Sequence, residues 1–192
     1  MRELRLMVNE IDKRIISELQ EDGRKPLSII GKKIGLSSVA TWKRLQKLTK
    51  GKWIKISANI NVRKLFPKIA IIDSEVKDLA TMNKLISKYK DCPRIILNSP
   101  FGGSNIITIM VGEDLPTLES CVGSCSVRIQ EGVRRSEVRI GELPSYPSFL
   151  PVKISSDIET ETAPCGFRCD RCQSYKEKKC LGCPATKYYG TN

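Results

Sequence analysis

The feature that most limits what this chain can fold into lies at its end. Five cysteines, Cys165, Cys169, Cys172, Cys180 and Cys183, crowd into the last 28 residues with the spacing C-x3-C-x2-C-x7-C-x2-C, and the chain has no histidine. A segment this short, with few apolar side chains, cannot offset its chain entropy with a core of its own and needs a cross-link. Two C-x2-C pairs can bring four thiolates round one soft metal ion, because a separation of about two to four residues lets a tight turn aim both sulfurs inward. Structural zinc would supply folding free energy on the order of 10 kcal/mol. Four thiolates serve zinc or an iron–sulfur cluster alike. The expected set is Cys169, Cys172, Cys180 and Cys183, with Cys165 a competitor for any one place. Arg168, Arg171, Lys176, Lys178 and Lys179 stand among these thiols and would favour the ionised, ligating form. Absence of histidine excludes mixed cysteine/histidine zinc sites and histidine general-base catalysis.

Charge distribution is the second constraint. Of a formal net charge of +12, residues 1–65 contribute +10, residues 66–150 none and residues 151–192 +2. A cationic N-terminal third beside a neutral middle points to a polyanion partner at one end rather than to a solubility excess spread along the chain. No apolar run approaches the ~18 residues of a transmembrane helix, and residues 1–6 lack the apolar stretch of a secretory signal. Eight cysteines without an export signal favour metal or free thiol over a disulfide scaffold and imply a cytoplasmic protein. With a mass of 21.6 kDa the chain has room for two small cores.

The N-terminal third reads as helices. Ile11, Ile15, Ile16 and Leu19 form one apolar stripe, Asn9 is placed to cap it with Asp12 three residues on, and Gly23 ends it. A second helix is expected near 27–34 with Leu27, Ile30 and Ile34 inward. Gly35 suits a left-handed turn and Ser37 the next N-cap. A third helix, near 38–50, carries Leu45 and Leu48 inward and Lys43, Arg44, Lys47 and Lys50 outward. Helix, glycine turn and basic helix is the helix-turn-helix plan, in which the second of the paired helices enters the major groove. The alternating run from Trp53 to Ile60 reads as the strand of a wing. Ile11-Asp12, Leu19-Gln20, Asp22-Gly23-Arg24, Ile34-Gly35-Leu36-Ser37, Arg44, Leu48 and Ile54 together resemble the winged helix-turn-helix of Lrp/AsnC-type (leucine-responsive) transcriptional regulators. Lys52 and Thr41 replace the glycine and the apolar residue usual at their positions. Ser38, Val39, Ala40, Thr41 and Lys43 would then reach base edges, and Arg44, Lys47 and Lys50 phosphates. Trp42 is expected in the core.

The middle reads as a strand at 68–72, a helix at 78–90, strands at 95–97 and 106–111, a helix near 116–124 and a strand at 137–140. That β-α-β-β-α-β order is a ferredoxin-like split unit. Its order and position resemble the sensing and dimerisation domain that follows the winged helix in Lrp/AsnC regulators. The resemblance implies a homodimer or larger assembly and a small-molecule effector near Gly102, Gly103 and Asn105. Asn105 stands where the family carries an aspartate, which removes an obvious partner for an amino-acid ammonium. The two glycines also suit a plain hairpin turn. Cys121 and Cys125, at i and i+4, read as a buried pair of small apolar side chains. Cys92 carries no reading of its own.

Pro144, Pro147 and Pro151, followed by a polar, acidic run at 155–163, read as a linker. Cys165-x3-Cys169-x2-Cys172 matches the three-cysteine motif of radical S-adenosylmethionine enzymes, whose large barrel this chain has no room for. The whole tail is similar to a small cysteine-rich domain held to bind metal. The expectation is therefore an α+β chain of four parts. Residues 1–65 form a winged helix-turn-helix, 66–150 a ferredoxin-like βαββαβ domain, 151–164 a linker and 165–192 a cysteine-rich, metal-stabilised module. No nucleophile–base pair or phosphate loop points to an enzyme. The implied function is a cytoplasmic transcriptional regulator that binds double-stranded DNA and carries zinc, or alternatively an iron–sulfur cluster. The rival is a metal- or redox-responsive sensor in which the cysteine site carries the signal.

Overall fold

A computed structural model describes residues 8–142, 147–156 and 158–191. The expectations placed on residues 1–6 and on Pro144 lie outside these. The chain divides into two compact units at Ala58 and Asn59.

The first unit holds α1 (Glu10–Glu21), α2 (Leu27–Ile34) and α3 (Ser38–Lys50). Asn9 Oδ1 accepts from the Asp12 amide at 3.0 Å and Asp12 Oδ2 accepts from the Asn9 amide at 3.3 Å, a complete capping box. Ile15, Ile30 and Leu48, one from each helix, are buried as its core. Arg44 of α3 reaches back to Asp12 Oδ1 at 2.9 Å and Asn9 Oδ1 at 3.3 Å, so the α1 cap also ties down α3. Glu18 is buried and is held by Lys25 at 2.6 Å and by Lys33. These two ammonium groups, Lys25 first, keep its carboxyl below the usual range.

Gly35 ends α2 in the left-handed region at φ 75° and Ser37 Oγ caps α3 by accepting from the Ala40 amide at 3.2 Å. Gly31 is where α2 meets the turn into α3. A Cβ there would lie 2.6 Å from Leu36 O and 2.8 Å from Thr41 Oγ1. The strand expected over 53–60 does not form. Only Ile60–Asn61 is extended, as β1, and it belongs to the second unit, where it pairs with β6 (Phe149–Leu150). Among the described residues the alternating run has no second strand within its own unit, and a lone strand leaves its backbone groups unpaired.

In the second unit, a short helix α4 (Val62–Leu65) precedes β2 (Lys68–Val76), α5 (Leu79–Tyr89), β3 (Ile95–Phe101), β4 (Asn105–Gly112), α6 (Leu115–Ser124) and β5 (Val133–Glu142). The four long strands form an antiparallel sheet ordered β3-β4-β2-β5. That is the ferredoxin-like arrangement expected from the order of elements. Asp78 and Asp114 cap α5 and α6, each accepting an amide three residues on at 2.7 Å. On the helix-covered face, Ala70, Ile72, Met110 and Leu118 pack together, as do Val76, Met82, Leu85, Tyr89 and Ile106. The other face of β2 and β4 carries Ile69, Ile71, Ile107 and Ile109, only partly covered, while Val111 packs beneath Val62, Phe66 and Val152.

The tail, with a 3-10 turn at Cys169–Arg171 and the four-residue α7 (Gln173–Lys176), lies within this second unit. Ala163 and Cys165 join the cluster of Met82, Leu85 and Tyr89, and Cys180 joins that of Met110, Leu118 and Cys121. A segment too poor in apolar residues for its own core thus borrows one from α5 and α6.

The close approach at Gly31 yields a test. Gly31→Ala forces its methyl against a backbone carbonyl and should destabilise the first unit by about 1–3 kcal/mol. Both tryptophans of the chain, Trp42 and Trp53, lie in that unit. Denaturant unfolding followed by tryptophan fluorescence therefore reads it selectively, and an unshifted midpoint would show that the α2–α3 contact is looser than described.

Candidate functional site

Helix α3 separates two faces. Thr41 and Leu48 are fully or almost fully buried, and the Thr41 hydroxyl donates to Ser37 O at 3.0 Å. Outward point Ser38, Val39, Trp42, Lys43, Lys47 and Lys50. Val39 is 64% and Trp42 51% exposed. Trp42, expected in the core, is therefore a surface residue. Its position three residues beyond Val39 puts both on one stripe, whereas the inward places go to Thr41, Leu45 and Leu48. Thr41 cannot present its hydroxyl outward from a buried site, and Ala40 is half-buried. Arg44 is half-buried and engaged with Asp12, so its guanidinium serves first as an internal tie. Sequence reasoning missed Trp42 as a surface group. The signal available was its place at i+3 from Val39 and i−1 from Lys43.

The hairpin between β3 and β4 turns on Gly102 and Gly103, with φ 54° and 84°. A Cβ on either would meet nothing within 4 Å, so these glycines answer to backbone conformation and not to close approach. The Asn105 side chain is committed: its Nδ2 donates to Asp73 Oδ1 at 2.6 Å. The Asp73 carboxylate of β2 therefore lies beside position 105.

The third arrangement is a cavity between α6, the 92–94 turn before β3 and the tail. Its volume is about 40 Å³, above the roughly 10–15 Å³ that admits one water. Every cysteine of the chain lines it: Cys92, Cys121 and Cys125 from the sheet domain, and Cys165, Cys169, Cys172, Cys180 and Cys183 from the tail. Its hydrogen bond to Cys121, followed by burial, pushes the Cys180 thiol up from its ordinary pKa. The Cys121 thiol is also raised, first through its bond to Cys125. Burial, reinforced by neighbouring thiols, pushes Cys92 and Cys183 up to about 11. Burial also raises Cys169. Among the described residues no three histidine, cysteine or acidic side chains already stand as ligands round one point.

The cation beside these thiols is not one of the tail's own. Arg168 is spent on Asp170 at 2.8 Å and Glu161 at 2.7 Å, and Lys179 on Glu177 at 2.7 Å. Instead Arg94, 3% exposed, lines the cavity. Its Nη2 donates to both oxygens of Glu113 at 2.8 and 2.7 Å, and its Nη1 to Gly182 O at 2.8 Å. Arg94 Nε has no partner among the described residues. Gly182 holds φ 86°, and a Cβ there would sit 2.5 Å from Tyr188 O, so the tail can offer this carbonyl only from a glycine. Further seams join Leu181 N to Thr117 Oγ1 at 3.2 Å and Ser120 Oγ to Lys179 O at 3.3 Å. Sequence reading overlooked Arg94, although it stands two residues after Cys92.

Residues 8–49 match the AsnC-type helix-turn-helix domain. No curated protein matches the chain significantly. Among solved structures, the fold is similar to that of Escherichia coli AsnC, with 15% identity, a TM-score of 0.59, and 70% of this chain covering 91% of that one. It is similar to Bacillus subtilis LrpC, with 20% identity, a TM-score of 0.58, and 71% of this chain covering 97% of that one. It is also similar to the transcriptional regulator NMB0573 of Neisseria meningitidis, solved in complex with L-Met, with 16% identity, a TM-score of 0.62, and coverages of 72% and 91%. At these identities the likeness establishes the fold: a helix-turn-helix followed by a ferredoxin-like sheet. Among the described residues no helix is long and apolar enough to cross a membrane.

The buried Arg94–Glu113 pair gives a second test. Glu113→Ala leaves a buried guanidinium without its carboxylate, keeping only the Gly182 carbonyl and the face of the Tyr189 ring, which should cost about 3–5 kcal/mol. Urea unfolding of the full chain, followed by far-ultraviolet circular dichroism, measures it. A change below about 1 kcal/mol would mean that water reaches Arg94 and that the pair is effectively a surface one.

Proposed function

We propose that this chain is a DNA-binding transcriptional regulator of the AsnC type. The observation that carries the reading is α3 itself. It follows a glycine turn in a segment matching the AsnC-type helix-turn-helix, and it turns Val39, Trp42, Lys43, Lys47 and Lys50 away from its core. In that geometry Ser38, Val39, Trp42 and Lys43, near the helix N-terminus, face base edges, with Val39 and Trp42 suited to thymine methyl groups. Lys47 and Lys50 meet phosphates, and Arg44 holds the helix in position. A dimer or larger assembly forms through the sheet face of Ile69, Ile71, Ile107 and Ile109, whose partly covered apolar surface suits a self-complementary partner.

A small-molecule effector belongs to the same reading. The NMB0573 structure contains L-Met. Here the hairpin of Gly102, Gly103 and Asn105 adjoins the Asp73 carboxylate, the kind of group that would receive an ammonium. The tail adds a thiolate site in which Cys169, Cys172, Cys180 and Cys183, with Cys165 in competition, hold zinc or an iron–sulfur cluster. Support for it is the burial of these thiols around one cavity, in a segment without its own core.

Binding to duplex DNA should fall steeply with salt, and Trp42→Ala with Lys43→Ala should weaken it at least about tenfold. Lys47→Ala and Lys50→Ala should each lower the slope of log affinity against log salt by about one. Shift or anisotropy assays on genomic fragments read both. Unchanged affinity and slope in all three variants would remove α3 from the interface.

A further inference from the structure

We infer that Cys92, Cys121 and Cys125 join the tail cysteines in one site for thiophilic metal, built across the seam between the sheet domain and the tail. This rests on the reading of the tail as a metal-binding segment and extends its ligand set. Three cysteines outside the tail sit on two different elements, the turn before β3 and helix α6, separated by 29 positions in sequence. Free cysteines used simply as small apolar side chains have no reason to gather. Here all three face the same cavity as the five from the tail.

The thiols fall into two groups. Cys165 packs in the apolar cluster that also takes Cys92 and Cys183, and Cys180 in the cluster that takes Cys121 and Cys125. Each group thus draws sulfurs from both sides of the seam, with Cys169 and Cys172 alongside on the wall. Eight thiolates exceed what one tetrahedral ion takes. They are enough for two such ions, or for cluster ligation with sulfurs in reserve.

Charge supports the same conclusion. Four thiolates on one dication leave a net charge of about −2, which a dry cavity must offset. The buried Arg94 lines that cavity with its Nε unpartnered, a donor available to a ligated sulfur. No other charged side chain is among the described residues lining the cavity. Each thiol that ligates releases one proton to solvent as its sulfur bonds the metal. Binding would close the tail onto α6 by bonds much stronger than the few hydrogen bonds now holding it.

The test uses the reduced, metal-stripped full chain, titrated with zinc and, separately, with ferrous iron and sulfide. Thiols shielded from a disulfide reagent are counted, together with metal content and the visible spectrum. More than five of the eight thiols should become shielded. Cys121→Ala and Cys92→Ala, which keep an apolar side chain, should each lower zinc affinity at least about tenfold. At most five shielded thiols, with both variants binding as tightly as the parent, would overturn the inference while leaving the tail reading intact. No bound zinc and no cluster absorbance would sink both. The wild-type count decides even if a variant misfolds. An iron–sulfur spectrum with weak zinc binding would identify the cluster as the occupant.

Discussion

The second unit is organised round one buried charge. Arg94 is bound by both oxygens of Glu113 and by the carbonyl of Gly182, and these three residues come from the turn before β3, the β4–α6 connection and the tail. A guanidinium at 3% exposure survives only because each partner is fixed. Glu113 is fixed by following the last strand residue of β4, immediately ahead of the Asp114 cap of α6. Gly182 is fixed by a backbone conformation that other residues rarely adopt. The tail's course over α6, and with it the meeting of the tail thiols with Cys121 and Cys125, follows from where that carbonyl must sit.

The first unit uses the same device at smaller scale. Arg44 joins the capping groups of α1 to the middle of α3 through Asp12 and Asn9. A charged side chain that would otherwise belong to the outer face instead sets the angle at which that face is shown. The lysines and Trp42 on the outside can then act on a helix that is already oriented, which lowers the ordering cost of binding. Sequence alone does not separate an arginine that contacts a ligand from one that positions the helix, because both lie on the same polar flank.

Thiols and cations show a similar division of labour. Three of the tail's basic residues pair with nearby acidic ones: Arg168 and Lys187 with Glu161, Arg168 with Asp170, Lys179 with Glu177. These exposed pairs contribute little each, but they take the local positive charge away from the sulfurs. The cavity then depends on Arg94 for its balancing charge. Burial, meanwhile, keeps Cys92 and Cys183 well above the ordinary thiol pKa. Any ligand that draws the thiolate form out of this cavity must itself be strongly positive.

Sequence by itself determined the elements and their order. The stripe of Ile11, Ile15 and Leu19, the Asn9 cap and the Gly35 turn announced α1 to α3. The βαββαβ order led to the observed sheet, because period and caps are local properties of the chain. Local pattern failed where the outcome depended on a distant partner. The alternation over 53–60 predicted a strand, but among the described residues no neighbouring strand in its unit pairs with it. Trp42 looked like a core residue because large aromatics usually are, yet the inward places of α3 were filled by Thr41 and Leu48. Cys121 and Cys125 could be read from their i, i+4 spacing only as a buried pair, and Cys92 carried no signal. Only the tertiary structure, by folding the tail across α6, brought them to the cavity that the tail cysteines line. The five C-terminal cysteines could be singled out from their spacing, which is a local pattern. Their three neighbours and Arg94 could not, because what joins them is a shared cavity assembled from segments up to about ninety residues apart.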